Sequence, residues 1–246
     1  FLLQTFEKIY GVELGEGLKL VSELPELWDD KESRVSMLVD IAAAVMEIVP
    51  NVHWLHYQYL GEFLTPWGIF QGQGFIGNSR VAPCSTIIKQ RLAREYFKRT
   101  WEVEGTHVYF GIDWSEAHRM DAPTRNWSRY AQTVNFPLNE APKTSSVARL
   151  QRIQEDGVDV PELYKRGFAH NNCGGFCVRG GQGHFLTLLH EQPDAFEYHA
   201  NLEYELSNRL YQESGEQYSI LTRQVQGVKQ PLPLLRLKEE ALNGGA

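Results

Sequence analysis

The sequence predicts an α/β fold in which helices flank a mostly parallel sheet. Segments with apolar residues at three- and four-residue steps alternate with short runs of apolar, β-branched and aromatic residues, and these patterns are typical of amphipathic helices and of strands. Alternation of this kind favours parallel pairing, because parallel strands need a helical crossover between them. The chain has 246 residues, of which 42% are hydrophobic, so it can bury a substantial core.

The first part of the chain contains the strand and helix patterns on which this prediction depends. The predicted elements, in order, are a helix over 1–10, a strand over 18–21, a helix over 32–48, a strand over 52–59, a helix over 85–101 and a strand over 106–112. The helix over 32–48 has the clearest apolar periodicity, and Pro50 is expected to end it. Residues 61–83 include five glycines and two prolines, so this segment is predicted to be a long loop.

The second part of the chain is predicted to be mainly helical. The expected elements are helices over 146–155, from Pro161 onward, over 185–190 and over 194–212, followed by an extended segment over 230–235. The patterns therefore predict an α/β core over 1–140 and a helical C-terminal part over 141–246 that packs on the same domain.

Charge and cysteine content exclude several classes of protein. The net charge of −7 argues against non-specific binding to nucleic acids or membranes. No apolar run approaches the roughly 18 residues that a transmembrane helix needs, so no membrane partner is expected. Three cysteines are an odd number, which suits a reducing compartment better than a disulfide framework. We therefore expect a cytoplasmic protein.

Two of the three cysteines lie in a short glycine-containing motif. Residues 171–177 have the sequence Asn-Asn-Cys-Gly-Gly-Phe-Cys, which contains Cys173 and Cys177, whereas Cys84 lies far upstream. On a helix the two sulfurs of the motif would share one face, and with two glycines between them a turn fits equally well. Thiolates are nucleophiles and metal ligands, so the motif indicates a chemical role.

Together with a histidine, the cysteines form a candidate set of metal ligands. Cys84, Cys173 and Cys177 with His170 or His184 would give zinc four ligands, and the three thiolates alone could hold an iron–sulfur cluster. Two other interpretations remain open. The thiols could be nucleophilic or redox-active, or they could pack in the interior as small apolar side chains.

Basic residues surround the start of the helix predicted over 85–101. Free N–H groups and the helix dipole at such a start favour a phosphate or a thiolate. Arg80 and Lys89 would add positive charge, and Asn78 lies in the preceding glycine-containing segment. The alternative is an ordinary basic helix face in contact with solvent.

Charged residues also follow the strand predicted over 106–112. Asp113, Glu116 and Arg119 come directly after this strand, and ligands in open α/β sheets bind beyond the carboxyl ends of the strands. Glu116 and Arg119 are three residues apart, so the alternative is a simple ion pair on one helical turn.

These motifs, taken in order, resemble a known family. The matching segments are Phe75–Ser85 followed by Lys89, Gly111–Glu116 followed by Arg119, and His170–Cys177. Together they resemble the phosphoadenosine phosphosulfate reductase-like branch of the adenine nucleotide α-hydrolase superfamily, the PP-loop ATP pyrophosphatases. The chain is more similar to uncharacterised bacterial and phage members than to the sulfate-assimilation reductases, and the resemblance covers most of its length.

The resemblance implies a Rossmann-like sheet with a nucleotide-binding core over 1–140. It implies an enzyme that uses ATP or adenylyl sulfate with Mg²⁺, and that activates a substrate by adenylation or transfers sulfur. Some relatives act on nucleic acid and some hold an iron–sulfur cluster, so Cys84, Cys173 and Cys177 would carry sulfur or bind a cluster or Zn²⁺. The alternative is a non-catalytic, metal-stabilised nucleotide-binding module in a larger complex, with a nucleic-acid or protein partner.

The resemblance also implies the residues that hold the nucleotide. The expected nucleotide and phosphate ligands are Asn78, Arg80, Lys89, Asp113, Glu116 and Arg119. Within this set the basic side chains would bind phosphates, and Asp113 and Glu116 would bind Mg²⁺ or the ribose.

Two family features have no counterpart in the sequence. The Ser-Gly-Gly-x-x-Ser pyrophosphate loop of the superfamily is not found, and the sequence starts at about the point where that loop would end. We therefore expect a preceding N-terminal strand and phosphate loop in the full protein. The Glu-Cys-Gly-x-His tail of the true reductases is also missing, which argues against thioredoxin-linked reduction of a sulfonucleotide.

Overall fold

The computed structural model describes residues 58–59 and 62–244 of the chain. The chain is divided into two compact units, and the described residues of the smaller unit are Gly111–Ala117 and Phe136–Val160. The other described residues belong to the larger unit. The boundary expected at residue 140 remains a prediction.

Eight α-helices and six strands lie in the described part of the chain. The helices are α1 (Pro66–Gln73), α2 (Leu92–Thr100), α3 (Asp121–Trp127), α4 (Ser146–Glu155), α5 (Glu162–Lys165), α6 (Gln182–Glu191), α7 (Pro193–Ser214) and α8 (Leu234–Leu242). The strands are β1 (Gln58–Tyr59), β2 (Glu62–Phe63), β3 (His107–Tyr109), β4 (Thr133–Asn135), β5 (Leu221–Val225) and β6 (Val228–Leu232). A π-helix (Ser85–Arg91) precedes α2, and 3₁₀-helices span Trp114–Arg119, Pro137–Asn139 and Cys173–Gly175.

The parallel pair β3–β4 shows that the fold is mixed α/β. Val108 of β3 lies opposite Val134 of β4, and α3 lies between the two strands in the chain, as expected for a parallel crossover. Trp127 at the end of α3 packs in the same small apolar cluster as Val108, and its ring contacts that of Phe97 from α2 at 5.0 Å between centroids. The other described strand pairs, β1–β2 and β5–β6, are antiparallel.

A larger apolar core in the larger unit is built mainly by helices. Most of its fully buried side chains come from α1, α6, α7, β6 and α8, and they include Phe70, Phe185, Leu188, Phe196, Leu232 and Leu234. Burial of side chains of this size stabilises the folded state by about 1.5–3 kcal/mol each. Among the described residues, no helix is both long and apolar enough to cross a membrane.

A buried carboxylate connects α7 to the C-terminal hairpin and helix. The side chain of Glu203 is 1% exposed. Its Oε1 accepts from the N–H of Ile220 at 2.7 Å, and its Oε2 accepts from the N–H of Leu234, the first residue of α8, at 2.6 Å. Burial raises the pKa of Glu203 to about 7, against the effect of the two N–H donors. Because both oxygens are used, Glu203 fixes the chain on either side of the β5–β6 hairpin.

Many of the described elements confirm the sequence predictions. The helix predicted over 85–101 is the π-helix followed by α2, and the strand predicted over 106–112 is β3 in shorter form. The helices predicted over 146–155, from Pro161, over 185–190 and over 194–212 are α4, α5, α6 and α7.

Predictions over 1–57 concern residues that lie outside the described part of the chain. They are the helices over 1–10 and 32–48, the strand over 18–21 and the first residues of the strand over 52–59. The last two residues of that strand form β1.

The prediction of a long loop over 61–83 was wrong, because α1 lies within it. The hydroxyl of Thr65 accepts from the N–H of Gly68 at 3.1 Å, Pro66 occupies the first turn, and Gly74 ends the helix in a left-handed conformation. These are standard start and stop signals. Burial of Trp67, Ile69 and Phe70 offsets the low helix propensity of the internal glycines.

The extended segment predicted over 230–235 was correct only in part. Its first residues belong to β6, which pairs with β5 around a two-residue turn at Gln226 and Gly227, both with positive φ. Such turns match the twist of a hairpin. The helix α8 then begins at Leu234, directly after Pro233.

We predict that Glu203→Gln lowers the free energy of unfolding by about 1–3 kcal/mol, because the new amide NH₂ would face one of two buried N–H donors. Urea denaturation monitored by circular dichroism would measure the change. Glu205→Gln, an exposed position on the same helix, is the matched control. Equal stability of the two variants would contradict the role assigned to Glu203.

Candidate thiol and histidine site

The structure brings the three cysteines together in the larger unit. The side chains of Cys173 and Cys177 are close enough to shift each other's pKa, and Cys84 is close enough to both that their charges influence each other. Cys173 is exposed, whereas Cys84 and Cys177 are half-buried, and all three are free thiols. With His170 and His184 they form what we call the thiol–histidine cluster.

The backbone of the motif is a tight turn rather than an α-helix. Cys173, Gly174 and Gly175 have φ values of 53°, 62° and 98°, which is the left-handed region that glycine favours. The N–H of Phe176 donates to the carbonyl of Cys173 at 3.1 Å, and the N–H of Gly180 donates to that of Cys177 at 2.7 Å. A non-glycine residue in this region costs about 1–3 kcal/mol, so the turn holds Cys173 in a strained conformation.

Phe176 anchors the turn in the core. Its ring stacks on the imidazole of His199 from α7, with centroids 3.6 Å apart and planes 11° from parallel, and it also stacks on Trp67 of α1. The indole N–H of Trp67 donates to Nδ1 of His199 at 2.9 Å. Since an indole nitrogen only donates, Nδ1 carries a lone pair and the neutral ring holds its proton on Nε2. Burial accordingly lowers the pKa of His199 to about 4.

The two histidines of the cluster lie side by side next to the turn. The rings of His170 and His184 are 4.8 Å apart, and Nε2 of His184 lies 2.7 Å from the carbonyl oxygen of Gly175, to which it donates. Burial lowers the pKa of His184. A Cβ atom at Gly180 would lie 2.5 Å from Cδ2 of His184, so the glycine at this position allows the ring to approach the backbone.

The interaction between the two thiols of the motif makes Cys177 the more acidic and Cys173 the less acidic of the pair. The interaction with the Cys173 side chain favours the Cys177 thiolate, and the backbone N–H of Arg179 and the two histidines add to this effect, so the pKa of Cys177 is lowered to about 5. The same interaction and burial raise the pKa of Cys173. Burial also raises the pKa of Cys84. Of the three thiols, Cys177 is therefore the one whose surroundings favour the thiolate.

The cluster contains the donor types of a metal site without the corresponding geometry. Thiolates and imidazoles suit zinc or an iron–sulfur cluster, and Nδ1 of His170 is buried with no hydrogen-bond partner among the described residues. Within residues 58–59 and 62–244, however, no three His, Cys, Asp or Glu side chains are arranged to hold a metal ion. Zinc or a cluster at Cys84, Cys173, Cys177, His170 and His184 stays a prediction.

Of the predicted phosphate ligands in the larger unit, Lys89 lies near the cysteines, whereas Asn78 and Arg80 lie in a loop. The ammonium of Lys89 lies close enough to Cys84 and Cys173 to lower their pKa values against the effect of burial. Arg80 lies in a loop that Asn78 shapes, since Oδ1 of Asn78 accepts from the N–H groups of Arg80 and Val81 at 3.0 and 3.1 Å. The oxygen of Asn78 is thus used to hold the loop.

Gly77 sets the position of the same loop. A Cβ atom there would lie 2.7 Å from the ring of Phe70, a fully buried residue of α1. The loop before Arg80 can approach α1 this closely only because residue 77 has no side chain.

In the smaller unit, Asp113 is engaged by other residues of the chain. Its Oδ1 accepts from the N–H and the hydroxyl of Ser115 at 2.9 and 2.6 Å, and its Oδ2 accepts from the guanidinium of Arg149 in α4. These partners hold the pKa of Asp113 at about 2. Glu116 lies in the same unit and Arg119 in the larger one. Their binding to Mg²⁺, ribose or phosphate remains a prediction.

Sequence reasoning did not identify four residues that shape these sites. Trp67 and His199 anchor the cysteine turn, Arg149 pairs with Asp113, and Arg179 donates to Cys177. For His199 a signal existed, because it lies three residues after Phe196 on the buried face of α7. Arg179 follows the motif after a single residue, so its proximity was also visible. The sequence contained no comparable signal for Arg149.

Comparison of the chain with protein-family models, with curated proteins and with solved structures finds no match. Function is therefore inferred from the geometry of the thiol–histidine cluster and its surroundings.

We predict that Cys177 is alkylated faster than Cys173 and Cys84 at pH 6, although Cys173 is the more exposed thiol of the motif, because thiolates react and thiols do not. Brief treatment with iodoacetamide followed by peptide mass mapping would measure this order. Cys173→Ala should slow the labelling of Cys177 at this pH by removing the side chain that lowers its pKa. Labelling of Cys173 first, with Cys177 unaffected by the substitution, would contradict the assignment.

We also predict a pH-dependent contribution of His199 to stability. Its folded pKa lies below the usual 6.5, so the contribution is complete above pH 6.5 and is lost as the pH falls towards 4, by up to about 3 kcal/mol. Urea denaturation at pH 7 and pH 4.5 should show a larger loss for the wild type than for His199→Phe. His118→Gln, at an exposed position, should behave as the wild type. Equal losses in wild type and His199→Phe would refute this.

Proposed function

We propose that this protein is an adenine-nucleotide-dependent enzyme that uses its thiols to transfer sulfur or to activate a substrate. The observation on which the proposal depends is the convergence of Cys84, Cys173 and Cys177 beside Lys89. These residues belong to two motifs that are remote in sequence and that both resemble motifs of the phosphoadenosine phosphosulfate reductase-like family.

The ionisation of the cluster supports thiol chemistry rather than inert packing. A thiolate at Cys177 is a nucleophile at neutral pH, and the exposure of Cys173 indicates that solutes reach the motif. The chemistry open to such a thiolate is attack on the sulfur of adenylyl sulfate. The new S–S bond would form as the S–O bond to the nucleotide breaks, and AMP would leave with the bonding electrons.

The remaining parts of the proposal rest on the resemblance. The parallel pair β3–β4 supports a Rossmann-like sheet, since it has the strand–helix–strand order of that fold. The proposal also includes Mg²⁺ bound at Asp113 and Glu116, and an acceptor that is a nucleic acid or a protein. It further includes a cytoplasmic location, which would keep the thiols reduced.

A second candidate is a non-catalytic nucleotide-binding module in a larger assembly. The stack of Phe176 on His199 and Trp67 favours it, because this stack shows that the cysteine turn also helps to hold the core together. In that case Cys173→Ser should unfold the protein, whereas the enzyme proposal expects a folded and inactive variant. Circular dichroism distinguishes the two.

We predict that the full-length protein releases AMP from adenylyl sulfate, or pyrophosphate from ATP with Mg²⁺, and that Cys177→Ser lowers this rate at least about a hundredfold. Chromatography of the nucleotides would measure the products. Ser128→Ala, at an exposed position, is the control. Absence of nucleotide turnover, or turnover unchanged in Cys84→Ser, Cys173→Ser and Cys177→Ser, would refute the enzyme proposal.

A further inference from the structure

A cavity of about 400 Å³ lies beside the start of the π-helix in the larger unit. Its polar lining side chains are Gln73, Arg80, Ser85, Thr86, Gln90 and Arg179. They come from the end of α1, the loop shaped by Asn78, the π-helix and the segment after the cysteine turn. A volume of this size is within the range of small-molecule sites.

The charge of the cavity has one sign. Two arginines, Arg80 and Arg179, line it, and none of the described lining residues is acidic. Both arginines are exposed to solvent. Neither forms an ion pair with a carboxylate in the part of the chain that the structure describes. Two guanidiniums without a carboxylate partner attract an oxyanion, which each can bind through two parallel N–H donors.

The neutral polar side chains add further donors. Ser85 and Thr86 contribute hydroxyls, and Gln73 and Gln90 contribute amide groups. The backbone N–H groups of Ser85 and Thr86 already donate to the carbonyl of Ala82 at 3.1 and 3.4 Å. An anion would therefore be held by side chains from separate segments and not by the helix terminus.

The apolar part of the lining suits an organic group attached to the anion. Val81, Ala82, Pro83 and Ile87 form this part. A free inorganic ion would use only the cationic end, whereas a phosphate or sulfate ester would also cover the apolar surface.

Two segments that line the cavity also carry or contact cysteines of the cluster. Pro83 and Ser85 line it, and Cys84 lies between them in the chain. Arg179 also lines it, and its backbone N–H donates to the sulfur of Cys177. Arg179 therefore joins the cationic end of the cavity to the thiolate.

We propose that this cavity binds the phosphate or sulfate end of an ester substrate, with Arg80 and Arg179 as the two cations that hold the oxyanion beside the thiols. Arg179 is an additional binding residue that sequence reasoning did not identify. The identification of the ester as an adenine nucleotide rests on the proposed function. The cavity as an oxyanion site rests on the charges and donors described above.

Isothermal titration of the full-length protein tests the proposal with four probes: inorganic phosphate, inorganic sulfate, AMP and adenylyl sulfate. AMP or adenylyl sulfate should bind more tightly than the inorganic ions. Arg179→Ala and Arg80→Ala should each weaken binding about tenfold or more, since a hydrogen bond to a charged group is lost. Arg179→Lys should restore part of the affinity by keeping the charge. Arg129→Ala, an exposed arginine that does not line the cavity, is the matched control.

The outcomes separate this inference from the proposed function. If Arg179→Ala and Arg80→Ala bind nucleotides as tightly as the wild type does, the nucleotide site is not this cavity. That result would not contradict the proposed nucleotide function. A third outcome is that the wild type binds phosphate or sulfate as tightly as the nucleotides, and that each substitution abolishes this binding. This result would support the oxyanion site and contradict the nucleotide function. No binding of any probe to the wild type would overturn both.

Discussion

The stack of Phe176 on the imidazole of His199 is the contact on which the arrangement of the thiols depends. Phe176 lies between Cys173 and Cys177, so the position of its ring determines where both sulfurs lie. The ring is held from one side by a histidine that must stay neutral, because its Nδ1 accepts from the indole of Trp67. Helices α1 and α7, remote in sequence from the motif, are thereby part of its geometry.

A tight turn makes the two thiols of the motif chemically different. On a regular helix, residues four positions apart would have similar surroundings. Here the left-handed backbone at Cys173, Gly174 and Gly175 places the two side chains where they interact, which lowers the pKa of Cys177 and raises that of Cys173. The strain at Cys173 is offset by the packing of the neighbouring Phe176, which gives a physical reason for an aromatic residue inside the motif.

Local sequence patterns predicted the helices well where the apolar periodicity was strong, and poorly where the helix was short and contained glycine. The helices α6 and α7 follow their apolar spacing, and the three cysteines and two histidines do lie together. Helix α1 was missed because the glycines of its sequence outweighed the capping signals at Thr65 and Pro66. Contacts such as Arg149 with Asp113 join residues 36 positions apart, and a single sequence holds no information on which distant partner a charged residue selects.

The two kinds of cation near the thiols fit two different tasks. Lys89 has a compact charge, and its field acts on Cys84 and Cys173, where it opposes the rise in pKa that burial causes. Arg80 and Arg179 line the cavity instead, and a planar guanidinium is suited to holding a tetrahedral oxyanion in one orientation. Separation of the two tasks matters for a thiol nucleophile. A cation paired directly with the thiolate would lower its reactivity, whereas in the proposed reaction cations that hold the substrate would leave the sulfur free to attack.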